Sequence, residues 1–108
     1  MAVGDVHFPE MHPVAGFSLG TTQAGVRYSD RRDLVVMECA EGSSVAAVFT
    51  RNAFCAAPVT LCKEHLSQAS PRYLVTNTGN ANAGTGRQGV ADAKAVCDAL
   101  AELVSLES

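Results

Sequence analysis

Tyr73-Leu74-Val75-Thr76-Asn77-Thr78-Gly79-Asn80-Ala81-Asn82-Ala83-Gly84-Thr85-Gly86 is the stretch around which the chain is organised. A β-prone run ends at Asn77, and the nine residues that follow are only Asn, Thr, Ala or Gly. Arg87 and a helical pattern opening near Gln88 come next. Glycines at 79, 84 and 86 allow positive φ and let main-chain N–H groups approach a partner, and Asn77, Asn80 and Asn82 each bring an amide donor and acceptor. A helix starting just after the loop adds unpaired N–H groups and a partial positive charge, so a carboxylate or a developing oxyanion is favoured there. The same composition also suits a hydrogen-bonded turn with no ligand, because Asn and Gly dominate turns for local reasons.

Working outward, Tyr73–Asn77 reads as the strand that feeds the loop. Before it, Ala57-Pro58-Val59 opens a helix, since proline's missing N–H is harmless in the first turn. Val59, Cys62, Leu66 and Ala69 share one side of this helix, and Ser70-Pro71 ends it. After the loop, Val90 to Leu106 is the clearest helix, with Ala93, Val96, Cys97, Leu100, Leu103 and Val104 on one stripe. Further upstream, Asp33 to Ala40 is apolar on both alternating faces, as in a strand covered on both sides. Glu41-Gly42-Ser43-Ser44 supplies a turn and Val45 to Thr50 resumes the β pattern, which predicts an antiparallel hairpin. From Val45 to Asn77 the strand, helix, strand order predicts a right-handed crossover. Phe17 to Ala24 is a further strand, turned at Ala24-Gly25, and the residues up to Pro13 show no period. The expected fold is α/β in an α+β layered arrangement: a mixed sheet, with a hairpin and a strand-helix-strand crossover, covered by helices.

Composition narrows the function classes. The 108 residues suit one domain, 1–108, able to bury roughly two thirds of its unfolded surface. Hydrophobic residues at 47% against 18% charged describe a folded interior rather than a disordered chain. A net charge of −3 without a Lys/Arg cluster argues against nucleic acid as a partner. The opening residues have no basic start or apolar core of a secretory signal, and no run approaches a membrane span, so a cytoplasmic location without membrane association is expected. Cys39, Cys55, Cys62 and Cys97 form no CxxC pair, and reduced, mostly buried thiols are expected. Cys55, Cys62 and His65 lack a fourth ligand at any common zinc spacing, so no metal is expected.

Two nucleotide motifs fail on context. Gly84-Thr85-Gly86-Arg87-Gln88-Gly89 matches GxGxxG, but six residues separate the end of the strand from Gly84, and Glu102, at the distance of the acidic partner, lies within a helix. Gly79 to Gly86 resembles a phosphate loop with Thr85 in the lysine position and Gly86 in the hydroxyl position, which removes both the terminal-phosphate charge and the metal contact.

Asn77-Thr78-Gly79-Asn80-Ala81-Asn82-Ala83-Gly84-Thr85-Gly86 closely resembles the NSGNANA-type loop of the ornithine acetyltransferase family, the bifunctional glutamate N-acetyltransferase and amino-acid acetyltransferase of arginine biosynthesis. Val14-Ala15-Gly16-Phe17, Ala24-Gly25-Val26-Arg27, Asp33-Leu34, Val48-Phe49-Thr50-Arg51-Asn52 and Ala56-Ala57-Pro58-Val59 resemble that family's opening segments in the same order, so the likeness covers nearly the whole chain. It implies an enzyme that moves an acetyl group from N-acetylornithine to glutamate through an acyl-enzyme, with acetyl-CoA as a co-substrate in bifunctional members and no bound cofactor. It further implies self-cleavage that exposes a threonine nucleophile, with a Thr-Gly pair stabilising the oxyanion. The expected partner is the remainder of the enzyme, a β chain after cleavage, in a hetero-tetramer. None of Thr21, Thr22, Thr50, Thr60, Thr76, Thr78 and Thr85 matches those motifs, so no catalytic residue is assigned and this chain by itself is expected to be inactive. Asn77, Asn80 and Asn82 are left as supporting groups of a substrate site. The alternative from the residues alone is a non-catalytic binding or regulatory module that uses the 77–86 loop.

Overall fold

Strand β2 (Leu34–Cys39) sits at the centre of a three-stranded sheet, between β1 (Phe17–Thr22) and β3 (Tyr73–Asn77), in the computed structural model, which describes residues 9–27, 29–79 and 84–104. Both pairings are antiparallel. Phe17 faces Cys39 and Thr22 faces Leu34 on one side; Leu34 faces Asn77 and Glu38 faces Tyr73 on the other. The two-sided apolar run read from the sequence is thus the central strand, and all six of its residues are half-buried. The sheet extends slightly beyond its strands, where Cys39 N–H donates to the Arg72 carbonyl at 2.7 Å and Ala40 N–H to that of Gly16 at 2.8 Å. Arg72 reinforces this end through its ion pair to Glu38 at 3.7 Å.

The α/β class is present, but the sheet is antiparallel rather than mixed, and the described helices pack chiefly on each other rather than over it. The hairpin expected between Asp33–Ala40 and Val45–Thr50 does not form, and neither does the crossover from Val45. Both hydrogen-bonding edges of β2 are already taken, by β1 and β3, so no edge of it is left for the Val45 segment. The hairpin that does form joins β1 to β2. Residues 45–50 run without strand pairing, with Val48 98% exposed, and the Phe49 ring lies under the Lys63 ammonium, 5.6 Å from its centroid.

Helix α1 (Ala57–Gln68) begins as its proline predicts, with Ala56 in extended conformation before it and no side-chain cap. It ends where the Ala69 N–H donates to the His65 carbonyl at 3.1 Å. Helix α2 (Gly86–Val104) starts about one turn earlier than the sequence pattern suggests, inside the glycine-rich stretch. The two helices pack on each other. Ala57, Leu61 and Ala101 are the buried apolar residues among the described ones, and none of those residues has a large side chain fully enclosed. The stripe on α2 is only partly sheltered: Ala93, Cys97 and Leu100 are half-buried, whereas Val96 and Leu103 face solvent. Among the described residues no helix is long and apolar enough to cross a membrane.

Candidate functional site

The loop leaves the sheet at Asn77, which ends β3 in register with Leu34 and is exposed. Its first residue is held: the Thr78 N–H donates to the Asp33 carbonyl at 3.0 Å. Gly79 follows with φ +91°, and a Cβ there would stand 3.0 Å from Cβ of Arg27. Glycine is therefore favoured at 79 by the backbone hand, and the approach to Arg27 is close besides. Asn80 and Asn82 lie outside the described residues. The chain re-enters at Gly84, where φ is +68° and a Cβ would come within 2.7 Å of the Phe54 ring. The loop thus has one end against the β1–β2 connection and the other against the segment preceding α1.

Asp33 organises the first of these ends, and the sequence reading gave it no role beyond a strand start. Its carboxylate accepts hydrogen bonds from the N–H groups of Ala24 at 2.6 Å and Val26 at 2.8 Å. Its own N–H donates to the Thr22 carbonyl at 3.1 Å, while its carbonyl receives Thr78. One residue therefore ties the turn after β1, the start of β2 and the start of the loop. It is 4% exposed, the buried charged residue among those described. The donated N–H groups, Ala24 first and Val26 second, hold its pKa below the usual carboxylate value. A carboxylate opening an apolar strand shortly after Ala24-Gly25 was the available signal. Arg27, Arg31, Asp33, Thr78 and Gly79 together line a small hollow of about 40 Å³.

A larger, open hollow of about 240 Å³ lies at the other end, between the stretch before α1 and the start of α2. Ala57 and Thr60 come to it from the first turn of α1, Gly86 and Val90 from the first two turns of α2, and Phe54 and Cys55 from the connecting segment. Neither helix has an acidic residue in its first turn. Two positive helix ends facing one hollow favour an anionic or strongly polarised group there. The Cys55 thiol lies 3.9 Å from the Thr60 hydroxyl, which is no general base. The GxGxxG match is accounted for otherwise: its second glycine opens α2 and its third lies in that helix, in a protein whose sheet runs antiparallel rather than as a parallel βαβ unit.

The four cysteines are free, as read from the sequence, but half-buried rather than buried. Burial, then the neighbouring Cys62, pushes the Cys97 thiol upward in pKa. Among the described residues no group of three His, Cys, Asp or Glu side chains is placed to hold a metal ion.

Comparison with known proteins identifies the family. The model of the ArgJ family matches residues 18–108. The arginine biosynthesis bifunctional protein ArgJ of Pseudomonas syringae pv. tomato is 57% identical over all 108 residues, which span 26% of that protein. Its namesake in Psychrobacter arcticus is 60% identical over 102 residues, covering 94% of this chain and 25% of that protein. Among solved structures, the ornithine acetyltransferase of Mycobacterium tuberculosis, complexed with ornithine, superposes with a TM-score of 0.76 at 37% identity, over 84% of this chain and 48% of that one. ArgJ of Bacillus halodurans gives 0.78 at 33%, over 86% and 49%. The chain thus spans about a quarter of the length of the curated relatives it matches. With a family match over most of its residues and a fold shared with two solved members, the chain belongs to the ArgJ family.

Proposed function

We propose that this chain is the N-terminal part of a cytoplasmic acyltransferase of arginine biosynthesis, one that moves an acetyl group from N-acetylornithine to glutamate and also accepts acetyl-CoA as donor. The observation that carries the reading is the 57% identity that runs the whole length of the chain to a bifunctional ArgJ. The nucleophile is a threonine supplied by polypeptide outside these 108 residues, freed by self-cleavage, with its own α-amine as base. The role of this chain is to support the site: Asn77, Asn80 and Asn82 offer amides to substrate from a loop anchored by Asp33, and the amino ends of α1 and α2 favour negative charge beside it. The assembled enzyme pairs this part with the β chain in a hetero-tetramer.

The test is a chimera in which this chain replaces the matched quarter of the Pseudomonas syringae protein. Acetyl transfer from N-acetylornithine to glutamate is expected from the chimera and absent from the 108-residue chain alone. Heat-sensitive transfer by the isolated chain, or a folded chimera that carries no acetyl group on a threonine, would reject the reading.

A further inference from the structure

Strand β1 is an outer strand of the sheet. Residues facing each other across an antiparallel pair alternate between exchanging hydrogen bonds and exchanging none. The bonds from the Ala40 N–H to the Gly16 carbonyl and from the Asp33 N–H to that of Thr22 fix the phase. Gly16, Ser18, Gly20 and Thr22 turn their main-chain groups toward β2, and Phe17, Leu19 and Thr21 turn theirs to the outer edge. Such a row of N–H and carbonyl groups is a template for a further strand, the more so where its side chains are apolar and in water, as Leu19 is at 58% exposure. Both ends of the row are already engaged. The Phe17 N–H donates to the Val14 carbonyl at 3.2 Å. At the other end Nη1 of Arg32 donates to the Thr21 carbonyl at 3.0 Å and to the Thr21 hydroxyl at 2.7 Å. Thr21 is accordingly the half-buried residue of an otherwise exposed strand.

The register shows which partner these contacts exclude. Residues 17–21 have their midpoint at Leu19, so β1 meeting β1 of a second copy about a two-fold axis would set Leu19 against the second copy's Leu19 and Phe17 against the second copy's Thr21. In that arrangement the Phe17 N–H needs the second copy's Thr21 carbonyl, and the reverse holds by symmetry. Those are the donor engaged by Val14 and the acceptor engaged by Arg32. We propose that Arg32, with the turn at Val14, closes the outer edge of β1 against pairing with a second copy of this chain. The charged guanidinium is the part of this guard that a side chain supplies, and charge laid along an edge strand is a general means of keeping sheets apart. The proposal rests on the strand register and these hydrogen bonds, and needs no assumption about acetyl transfer.

Sedimentation equilibrium of the 108-residue chain, of Arg32→Ala and of Arg31→Ala is the experiment. Arg32→Ala should tighten self-association by about tenfold or more, the worth of the hydrogen bonds that the freed Thr21 carbonyls make across the two-fold axis. Arg31→Ala removes the same charge one residue earlier, from a side chain whose ion pair is to Asp30, and should leave association at the level of the parent. The register is read separately. Residues that exchange hydrogen bonds across an antiparallel pair lie about 5.5 Å apart at Cα, within reach of a disulfide. With oxidised glutathione as the oxidant, Leu19→Cys in the Arg32→Ala background should give a dimer linked 19 to 19 by mass, and at least about tenfold less of it with Arg32 intact. Association of Arg32→Ala no tighter than that of the parent, equal tightening by Arg31→Ala, or a linked dimer as abundant with Arg32 present would each overturn the proposal. So would tighter association of Arg32→Ala without the 19–19 link, since another surface would then be responsible.

Discussion

Leu61→Ala probes the small core directly. Leu61 is 5% exposed on α1 and, with Ala57 and Ala101, makes up the buried apolar set among the described residues. Buried Leu→Ala changes cost about 2–5 kcal/mol, combining lost transfer energy with the cavity left behind. The lower part of that range applies here, since the described residues enclose no large side chain fully and neighbours have room to close in. A loss of about 2–3 kcal/mol is large against about 0.05–0.15 kcal/mol per residue of total stability. It corresponds to a fall in melting temperature on the order of 10–20 °C for a domain of this size. Urea unfolding followed by far-UV circular dichroism measures it, with the slope m unchanged if the folded state keeps its surface. Leu103→Ala, at a residue 83% exposed, is the companion and should stay within about 0.5 kcal/mol. Equal effects from the two variants, or a Leu61→Ala loss below about 0.5 kcal/mol, would mean that the helix pair is not what holds the fold.

Gly84→Ala should destabilise by about 1–2 kcal/mol from its left-handed backbone alone, plus the collision with Phe54. Adding Phe54→Ala should recover only the steric share, and a silent single variant would contradict the described approach. Asp33→Asn should lower the urea midpoint at neutral pH, since an amide turns one acceptor into a donor facing N–H groups. Because the folded pKa of Asp33 is depressed, its contribution is whole above the unfolded value of about 4 and is lost as pH falls below it through the folded value. The variant should therefore lose part of the acid sensitivity of the parent, and parallel pH profiles would refute the anchor. Cys97, its pKa raised by burial, should label with a pH midpoint above the usual thiol value of about 8.5, and a midpoint below it would remove the case for its shelter.

Several elements were legible because their signals are local. Pro58 sets the start of α1 through its own missing N–H, and Tyr73–Asn77 is a strand bounded by Pro71 on one side and by small, turn-forming residues on the other. The Asn/Gly loop was likewise readable as a feature, and glycine at 79 and 84 has the positive φ that such a composition permits. The order of the strands was not readable in this way. Val45–Thr50 has the pattern of a strand, but pairing is a competition for edges, and β1 and β3, distant in sequence from each other, take both edges of β2.

Asp33 shows the same division on the scale of one residue. Its type and position are plain in the sequence, yet its donors are the main-chain groups of Ala24 and Val26, and its carbonyl receives Thr78 from the far side of the sheet. No residue pattern encodes a main-chain partner, since every non-proline residue carries the same N–H. The stripe on α2 makes the last case. Periodicity placed Val96 and Leu103 with Cys97 and Leu100, but only what packs against a helix decides which part of an apolar stripe is covered. Sequence by itself marked the helices, the loop, the family likeness and the three strands that form, along with a fourth at Val45–Thr50 that does not, because each rests on neighbours along the chain. Tertiary structure decided strand pairing, the Asp33 anchor and the capped edge of β1, because each depends on groups that only folding brings together.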